Sequence, residues 1–288
     1  MALQSVAPKL LPPRHPLRTA SACVVLALLA ALVASLASNP NMQWSVVADY
    51  LFGSQILYGL VNTIVLTVLC MAIAIVIGIV LAIMGMSRNP VLYFVAQGYI
   101  WFFRGVPLLV QLVFWFNLAL LWPRIGLTVP PLGIDLSVST NDLITSFVAS
   151  VLGLALHEAA YMAEIVRAGL LGVDSGQTEA GRSLGMSDNQ LMRRIVLPQA
   201  MRIIVPPTGN QFISLLKATS LVAFIAGGEL MTAVQNVYSH NFRVIPLLIV
   251  ASIWYLVVTT LATGLQTYLE RRVGKGFSTA ASPSAQRG

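Results

Sequence analysis

The sequence predicts an all-α membrane protein of about six spanning helices with both ends in the cytoplasm. Three observations predict it. Only 9% of the 288 residues are charged and 57% are hydrophobic, where a soluble domain carries about 25% charged residues. Long stretches contain no Asp, Glu, Lys or Arg, and the basic residues are shared unevenly among the segments that join them. Mean hydropathy is +0.81. Gly and Pro are scattered without period, which excludes a collagen-like rod, and no internal repeat is visible. The two cysteines, Cys23 and Cys70, lie in apolar runs and read as inert thiols rather than a bridge.

A helix needs about 20 mostly apolar residues to cross a hydrocarbon layer of about 30 Å. The charge-free runs give candidates at residues 21–36, 56–84, 95–122, 143–163, 205–226 and 246–268. The first has two readings, a retained membrane anchor or a cleavable signal peptide ending near Ser35 and Ala37. About 20 residues precede the apolar run, longer than signal peptides usually carry, which favours the anchor. Residues 1–20 are then a cytoplasmic segment, 21–38 an additional helix, and 273–288 a flexible Ser-, Ala- and Gly-rich cytoplasmic tail. Outer loops are expected at 37–55, 123–142 and 231–245, the second turning at Pro130, Pro131 and Gly133.

Orientation follows from the tendency of Lys and Arg to collect on the cytoplasmic side. With the N-terminus inside, Arg124 and Arg243 are the only two of the 17 basic residues that fall outside. The net charge of +7 is therefore a topology signal. Nucleic-acid binding is not expected, because the basic residues have no aromatic interleaving.

The segment 174–200, between the fourth and fifth spans, is polar and patterned. Asp174 can cap one short helix, with Gln177 three residues on; Ser187 can cap a second, with Gln190 completing a capping box. Gly185 falls between them, where a sharp reversal needs φ > 0. Pro198 lacks the N–H to continue the second helix. Leu191 and Ile195 share a helical face, and Leu184 can join them across the bend. This describes a helix–turn–helix knob, part apolar and part basic. It suits a cleft on a soluble partner or a surface of anionic lipid, and physics alone leaves both open.

Glu179-Ala180-Gly181, then Gly185, then Ile195-Val196-Leu197-Pro198 resembles the EAA loop of ABC-importer permeases, Glu-Ala-Ala-x3-Gly-x9-Ile-x-Leu-Pro, with every spacing kept. Gly181 stands where Ala is usual, a change expected to loosen the first short helix by up to ~1 kcal/mol. Further stretches at 58–67, 99–111, 158–164, 197–201, 206–210 and 216–221 resemble the polar-amino-acid branch, the histidine/glutamate/glutamine/arginine permeases with a MetI-like transmembrane domain. The resemblance covers about residues 45–272. It implies a five-helix type I importer core, to which 21–36 is an addition, in a bacterial inner membrane. It also implies two partner ATPase subunits, a second permease copy or homologue, and an extracytoplasmic amino-acid-binding protein. ATP is then used by the partner, and no cofactor is bound by this chain: it lacks a G-x-x-x-x-G-K-[ST] loop, and Gly274-Lys275 is followed by Gly276 without that context.

On that resemblance Glu179, Ala180, Gly181, Gly185, Leu191, Ile195, Leu197 and Pro198 couple the chain to the ATPase. Glu179 is expected to open the first short helix and complement its dipole. Glu158 lies near the end of an apolar run, where an ionised group is a functional candidate, or pairs, as Glu164 also can, with Arg167. Tyr161 follows it, and His157, Tyr161 and Glu164 are spaced along one helical face. His157 stands where relatives often have Asn. Gln111, Asn62 and Asn210 are polar groups at membrane depth that line the path or bond between helices. Arg104, Gly105 and Pro107 form an elbow at the cytoplasmic gate, or a snorkelling Arg with a turn. Lys217 and Glu229 flank the fifth span as opposite charges and cannot pair within that helix. With three His and no Cys or second acid at ligand spacing, no metal site is expected.

Two other function classes fit the sequence less well. An ion-gradient carrier of amino acids predicts acids buried mid-span and usually an internal repeat, whereas the acids here cluster toward span ends. A membrane enzyme needs a His, Asp, Ser or metal constellation, and none is evident.

Overall fold

A computed structural model describes residues 16–126, 128–129 and 134–273. The expected cytoplasmic segment before residue 16, the tail from Gly274 and the turn at Pro130, Pro131 and Gly133 lie outside the described residues.

The chain opens with α1 (Pro16–Ser38), a helix apolar on all sides with none of its spanning window buried. A helix hydrophobic all round belongs in lipid or a core, and α1 has no core beside it. Trp44 Nε1 donates to Ala37 O at 3.0 Å and ties its end to α2 (Trp44–Leu51). The next helix, α3 (Ser54–Gly85), runs 32 residues, about 48 Å at 1.5 Å per residue. Its buried residues recur every three or four positions, from Ile56, Leu60 and Thr63 to Ala74, Gly78 and Ala82. Val61, Ile64, Val65, Val68 and Val76 on its other side are exposed. An apolar exposed face beside an apolar buried one is the pattern of a helix whose solvent is hydrocarbon.

Asn89 caps α4 (Pro90–Gly105) by accepting from Val91 N at 2.9 Å. The expected single span at 95–122 is corrected here: α4 and α5 (Leu108–Phe116) meet at 100°. Pro107 has no N–H to extend α4, and Val106 is extended at φ −89°, ψ 130°. The expected outer loop 123–142 holds two short antiparallel pairs. Strand β1 (Arg124–Ile125) pairs with β4 (Val138–Ser139), and β2 (Thr128–Val129) with β3 (Ile134–Asp135). A single turn, α6 (Thr140–Leu143), follows.

The centre of the bundle is α7 (Ser146–Leu171), capped by Thr145 on Val148 N. It is the most buried of the long apolar helices, and its core face is lined by small residues, among them Ala149, Gly153, Ala159 and Ala163. Small residues let helices approach closely where no hydrophobic drive separates helix from lipid. The contact is tight on both sides: a Cβ on Gly78 would sit 2.6 Å from Met162 Cβ, and one on Gly153 2.6 Å from Leu112 Cδ2.

Two short helices, α8 (Ser175–Ser183) and α9 (Asp188–Leu191), then make the projecting knob. A π-helical turn (Met192–Val196) joins α9 to α10 (Leu197–Ala218), which continues as a 3-10 segment (Thr219–Ile225). Two left-handed residues, Ala226 (φ 51°) and Gly228 (φ 76°), break the chain before α11 (Leu230–Asn241). The expected outer loop at 231–245 is therefore largely helical, bent 43° from the helix before it. The last helix is α12 (Val244–Val273). Four described helices are long and apolar enough to span a membrane, and up to six spans exist if each bent pair is one.

The α3–α7 contact gives a direct test. Gly78→Val drives a side chain into Met162 and the Ala163 backbone, and overpacking costs about 1–3 kcal/mol. Its thermal midpoint in detergent is expected to fall, while Gly98→Ala, inside α4 with nothing within 4 Å of its added Cβ, is expected to hold or raise the midpoint.

Candidate functional site

The knob is built from three capping devices. Asp174 accepts from Gly176 N at 2.7 Å and caps α8. At the other end of α8, Met186 N donates to Gly181 O and Gly185 N to Arg182 O, with Gly185 at φ 75°. That is a Schellman motif, whose left-handed residue is usually glycine. Nothing lies within 4 Å of a Cβ on Gly185, so its constraint is backbone conformation rather than room. The capping box is present: Ser187 Oγ accepts from Gln190 N at 3.4 Å, and Gln190 Oε1 accepts from Ser187 N at 3.0 Å.

The two arms touch through Gly181. A Cβ there would sit 2.4 Å from Leu191 Cδ2 and 3.0 Å from Ile195 Cδ1. Leu191 is buried against this gap and Ile195 half-buried. Gly181 thus lets Leu191 lean onto α8, and an alanine there would require Leu191 to swing aside. Three expectations are corrected. Leu184 does not join this face; it is 83% exposed at the bend. Glu179 is the fifth residue of α8, past the first turn, so the cap at Asp174 meets the dipole instead. Pro198 does not end the second arm, because it falls at the start of α10, where a missing N–H is tolerated. Glu179, Ala180, Leu184, Arg193, Arg194, Leu197 and Pro198 are all exposed. The exposed Arg182–Asp188 pair at 3.4 Å contributes little.

At the α4–α5 elbow Gln111 is 4% exposed. Its Nε2 donates to Phe103 O at 3.0 Å and Val106 O at 2.8 Å, and lies 3.1 Å from His157 Nδ1. Its Oε1 has no partner. His157 and Tyr161 meet at a 52° tilt with centroids 5.2 Å apart, and the Arg104 guanidinium sits 5.2 Å above the Tyr161 ring. Exposed Gly105 and Pro107 form the corner. Arg167 pairs with Glu164 at 2.8 Å, not with Glu158. Glu158 is 5% exposed with Oε1 unpartnered, on the α7 face of Leu154 and Met162.

The other polar candidates are spent elsewhere. Asn62 Nδ2 donates to Gly228 O at 2.9 Å, and Thr63 Oγ1 accepts from Leu230 N at 3.1 Å. Both side chains satisfy backbone freed by the break before α11. Asn210 Oδ1, on an exposed residue, accepts from Gln266 Nε2 at 3.0 Å. Lys217 is exposed. The structure therefore gathers Gln111 and Tyr161 with Arg104 at the elbow and separates them from Asn62 and Asn210.

Glu229, read from the sequence only as a flanking charge, is 0% exposed and central. Its carboxylate accepts from Met231 N and Thr232 N, both at 2.7 Å, and from Thr232 Oγ1 and Tyr255 Oη at 3.0 Å. It caps α11 and ties that helix to α12. The pattern Gly227-Gly228-Glu229 was the available signal, two flexible residues followed by a side chain able to cap. Beneath the knob, a wholly apolar cavity of 380 Å³ runs between α3, α7 and α10, with Met192 and Leu197 at the knob end. Among the described residues no group of three or more His, Cys, Asp or Glu could hold a metal ion.

This bundle with its capped knob falls within a known class. Residues 74–275 match the family of binding-protein-dependent transport system inner membrane components, and the chain belongs to that family. It is 46% identical over 266 residues to the arginine transport system permease protein ArgU of Corynebacterium glutamicum, covering 92% of this chain and 83% of that one. It is 40% identical over 219 residues to the probable amino-acid permease protein YxeN of Bacillus subtilis, covering 75% and 90%. Among solved structures it is similar to an amino acid ABC transporter crystallised with histidines. That likeness has a TM-score of 0.64 at 36% identity and covers 76% of this chain and 94% of that one.

The Glu229 cluster is testable. Glu229→Ala leaves four donors without their buried acceptor, at about 1–3 kcal/mol for an unsatisfied group, and is expected to lower the thermal midpoint in detergent. Glu229→Gln keeps an acceptor oxygen and is expected to fall between Ala and wild type.

Proposed function

We propose that this chain is the membrane-spanning permease subunit of an ATP-driven importer that moves a polar or charged amino acid into a bacterial cytoplasm. The names of its relatives support the cargo class, and family membership favours this reading over an ion-gradient carrier. In this reading the chain pairs with a second copy or a homologue in the inner membrane, both ends facing the cytoplasm. Two ATPase subunits receive the knobs, and an extracytoplasmic binding protein delivers the amino acid on the opposite side. The chain does no chemistry of its own. Its sequence has no phosphate-binding loop, which assigns ATP to the partner.

One observation carries the proposal. The second arm of the knob continues through the π-turn into α10 with no loop between them. A rigid-body push on the exposed surface of Glu179, Leu184 and Arg194 is therefore delivered to a spanning helix. ATP-driven closure of the ATPases moves the knob, α10 follows, and the paired permeases change the side to which the path opens.

Two measurements test it, in the complex reconstituted with its ATPase and binding protein. Leu184→Cys in a Cys23→Ser background should crosslink to the ATPase, and failure at any spacer length would count against the docking role. Gly185→Val puts a β-branched side chain at φ 75°, a strain of about 1–2 kcal/mol. Coupled uptake is expected to fall about 5- to 30-fold with membrane insertion intact, and wild-type uptake would refute the coupling assignment.

A further inference from the structure

The break between α4 and α5 leaves backbone carbonyls that the helices cannot satisfy. In an unbroken helix Phe103 O would accept from the N–H of residue 107, but that residue is Pro107 and has none. Val106, in extended conformation, directs its carbonyl outside both helices. Buried in protein at membrane depth, such groups need a donor from elsewhere.

Gln111 supplies it. A carboxamide nitrogen carries two hydrogens, and Nε2 lies 3.0 Å from Phe103 O and 2.8 Å from Val106 O. Turning the amide over would set Oε1 against two carbonyl oxygens, so the carbonyls dictate its orientation. The remaining neighbour is His157 Nδ1, 3.1 Å from the same nitrogen. Both hydrogens of that nitrogen are already given to the two carbonyls, so none is left for His157, which packs beside the amide with its ring tilted 52° against Tyr161.

We propose that Gln111 is a positioning residue that sets the 100° elbow: its carboxamide replaces the hydrogen bond Pro107 cannot make to Phe103 O and also satisfies Val106 O. The elbow is thereby latched across the break, and α4 and α5 move as one unit during the transport cycle. The latch is read from α4 and α5 alone. Only the uptake assay below depends on the permease reading.

The latch can be measured with spin labels at Phe94→Cys on α4 and Phe114→Cys on α5, both exposed positions, in a Cys23→Ser background. A narrow distance distribution is expected in the otherwise unaltered chain. It should broaden in Gln111→Leu. In the reconstituted complex the maximal uptake rate of Gln111→Leu should fall about ten-fold, with the half-saturating concentration of loaded binding protein unchanged. Should Gln111→Leu not fold, Pro107→Ala/Gln111→Leu restores a donor for Phe103 O and should recover the yield. A narrow distribution in Gln111→Leu, or no gain from Pro107→Ala, overturns the role of Gln111. Altered distances with normal uptake would leave the latch standing and remove its part in transport.

Discussion

Hydrocarbon offers no hydrogen bond to a backbone group, and the two breaks in the apolar helices at the α4–α5 corner and before α11 are each met by side chains that make good the loss. The α4–α5 corner is served by Gln111. The break before α11 is served by three residues, Asn62 on Gly228 O, Thr63 on Leu230 N and Glu229 on Met231 N and Thr232 N. The knob, outside the apolar spans, uses the ordinary caps of soluble helices, at Asp174 and Ser187. Several polar residues at membrane depth that invite a transport role are thus occupied in keeping broken helices whole. A cargo path has to be sought among groups not already committed, of which Glu158 Oε1 and Gln111 Oε1 are the buried examples among the described residues.

Long apolar helices were legible from charge-free runs because α1, α3 and α12 are regular and carry any charge at their ends, while α7 has only Glu158 near its middle. The knob was legible in detail for a different reason. Its stops and starts are encoded locally, by Gly185 and by the Ser187–Gln190 box, over spacings of three or four residues. The elbow and the α11 break were not legible as geometry. Pro107 marks a place where a helix can bend but not by how much, and its companion Gln111 reads as one more polar residue in an apolar stretch. Glu229 was misjudged because Tyr255, the partner that ties it to α12, is remote in sequence. Leu184 was misplaced because the Schellman turn directs it outward, and helical spacing does not extend through a left-handed residue.

Packing and solvation divide the chain by side-chain size rather than by polarity. Facing α3 and α5, α7 presents glycine and alanine, and Gly78 on α3 answers Met162 so that backbones nearly touch. The large branched residues of α3 and α12 are left on the outside, where a soluble protein would place lysine and glutamate. Polarity therefore says little about which face is core, and small residues say a great deal.

The π-turn at Met192–Val196 has one further consequence. A loop at the base of the knob would act as a swivel and absorb motion; an unbroken run from Asp188 to Ile225 acts as a shaft. Torque applied at its foot has nowhere to dissipate until the opposite end, where Ala226 and Gly228 adopt left-handed backbone within three residues. Those residues abut the buried carboxylate of Glu229, so the bearing in which the shaft turns lies at the far end of the chain's longest lever, remote from the motor that would drive it.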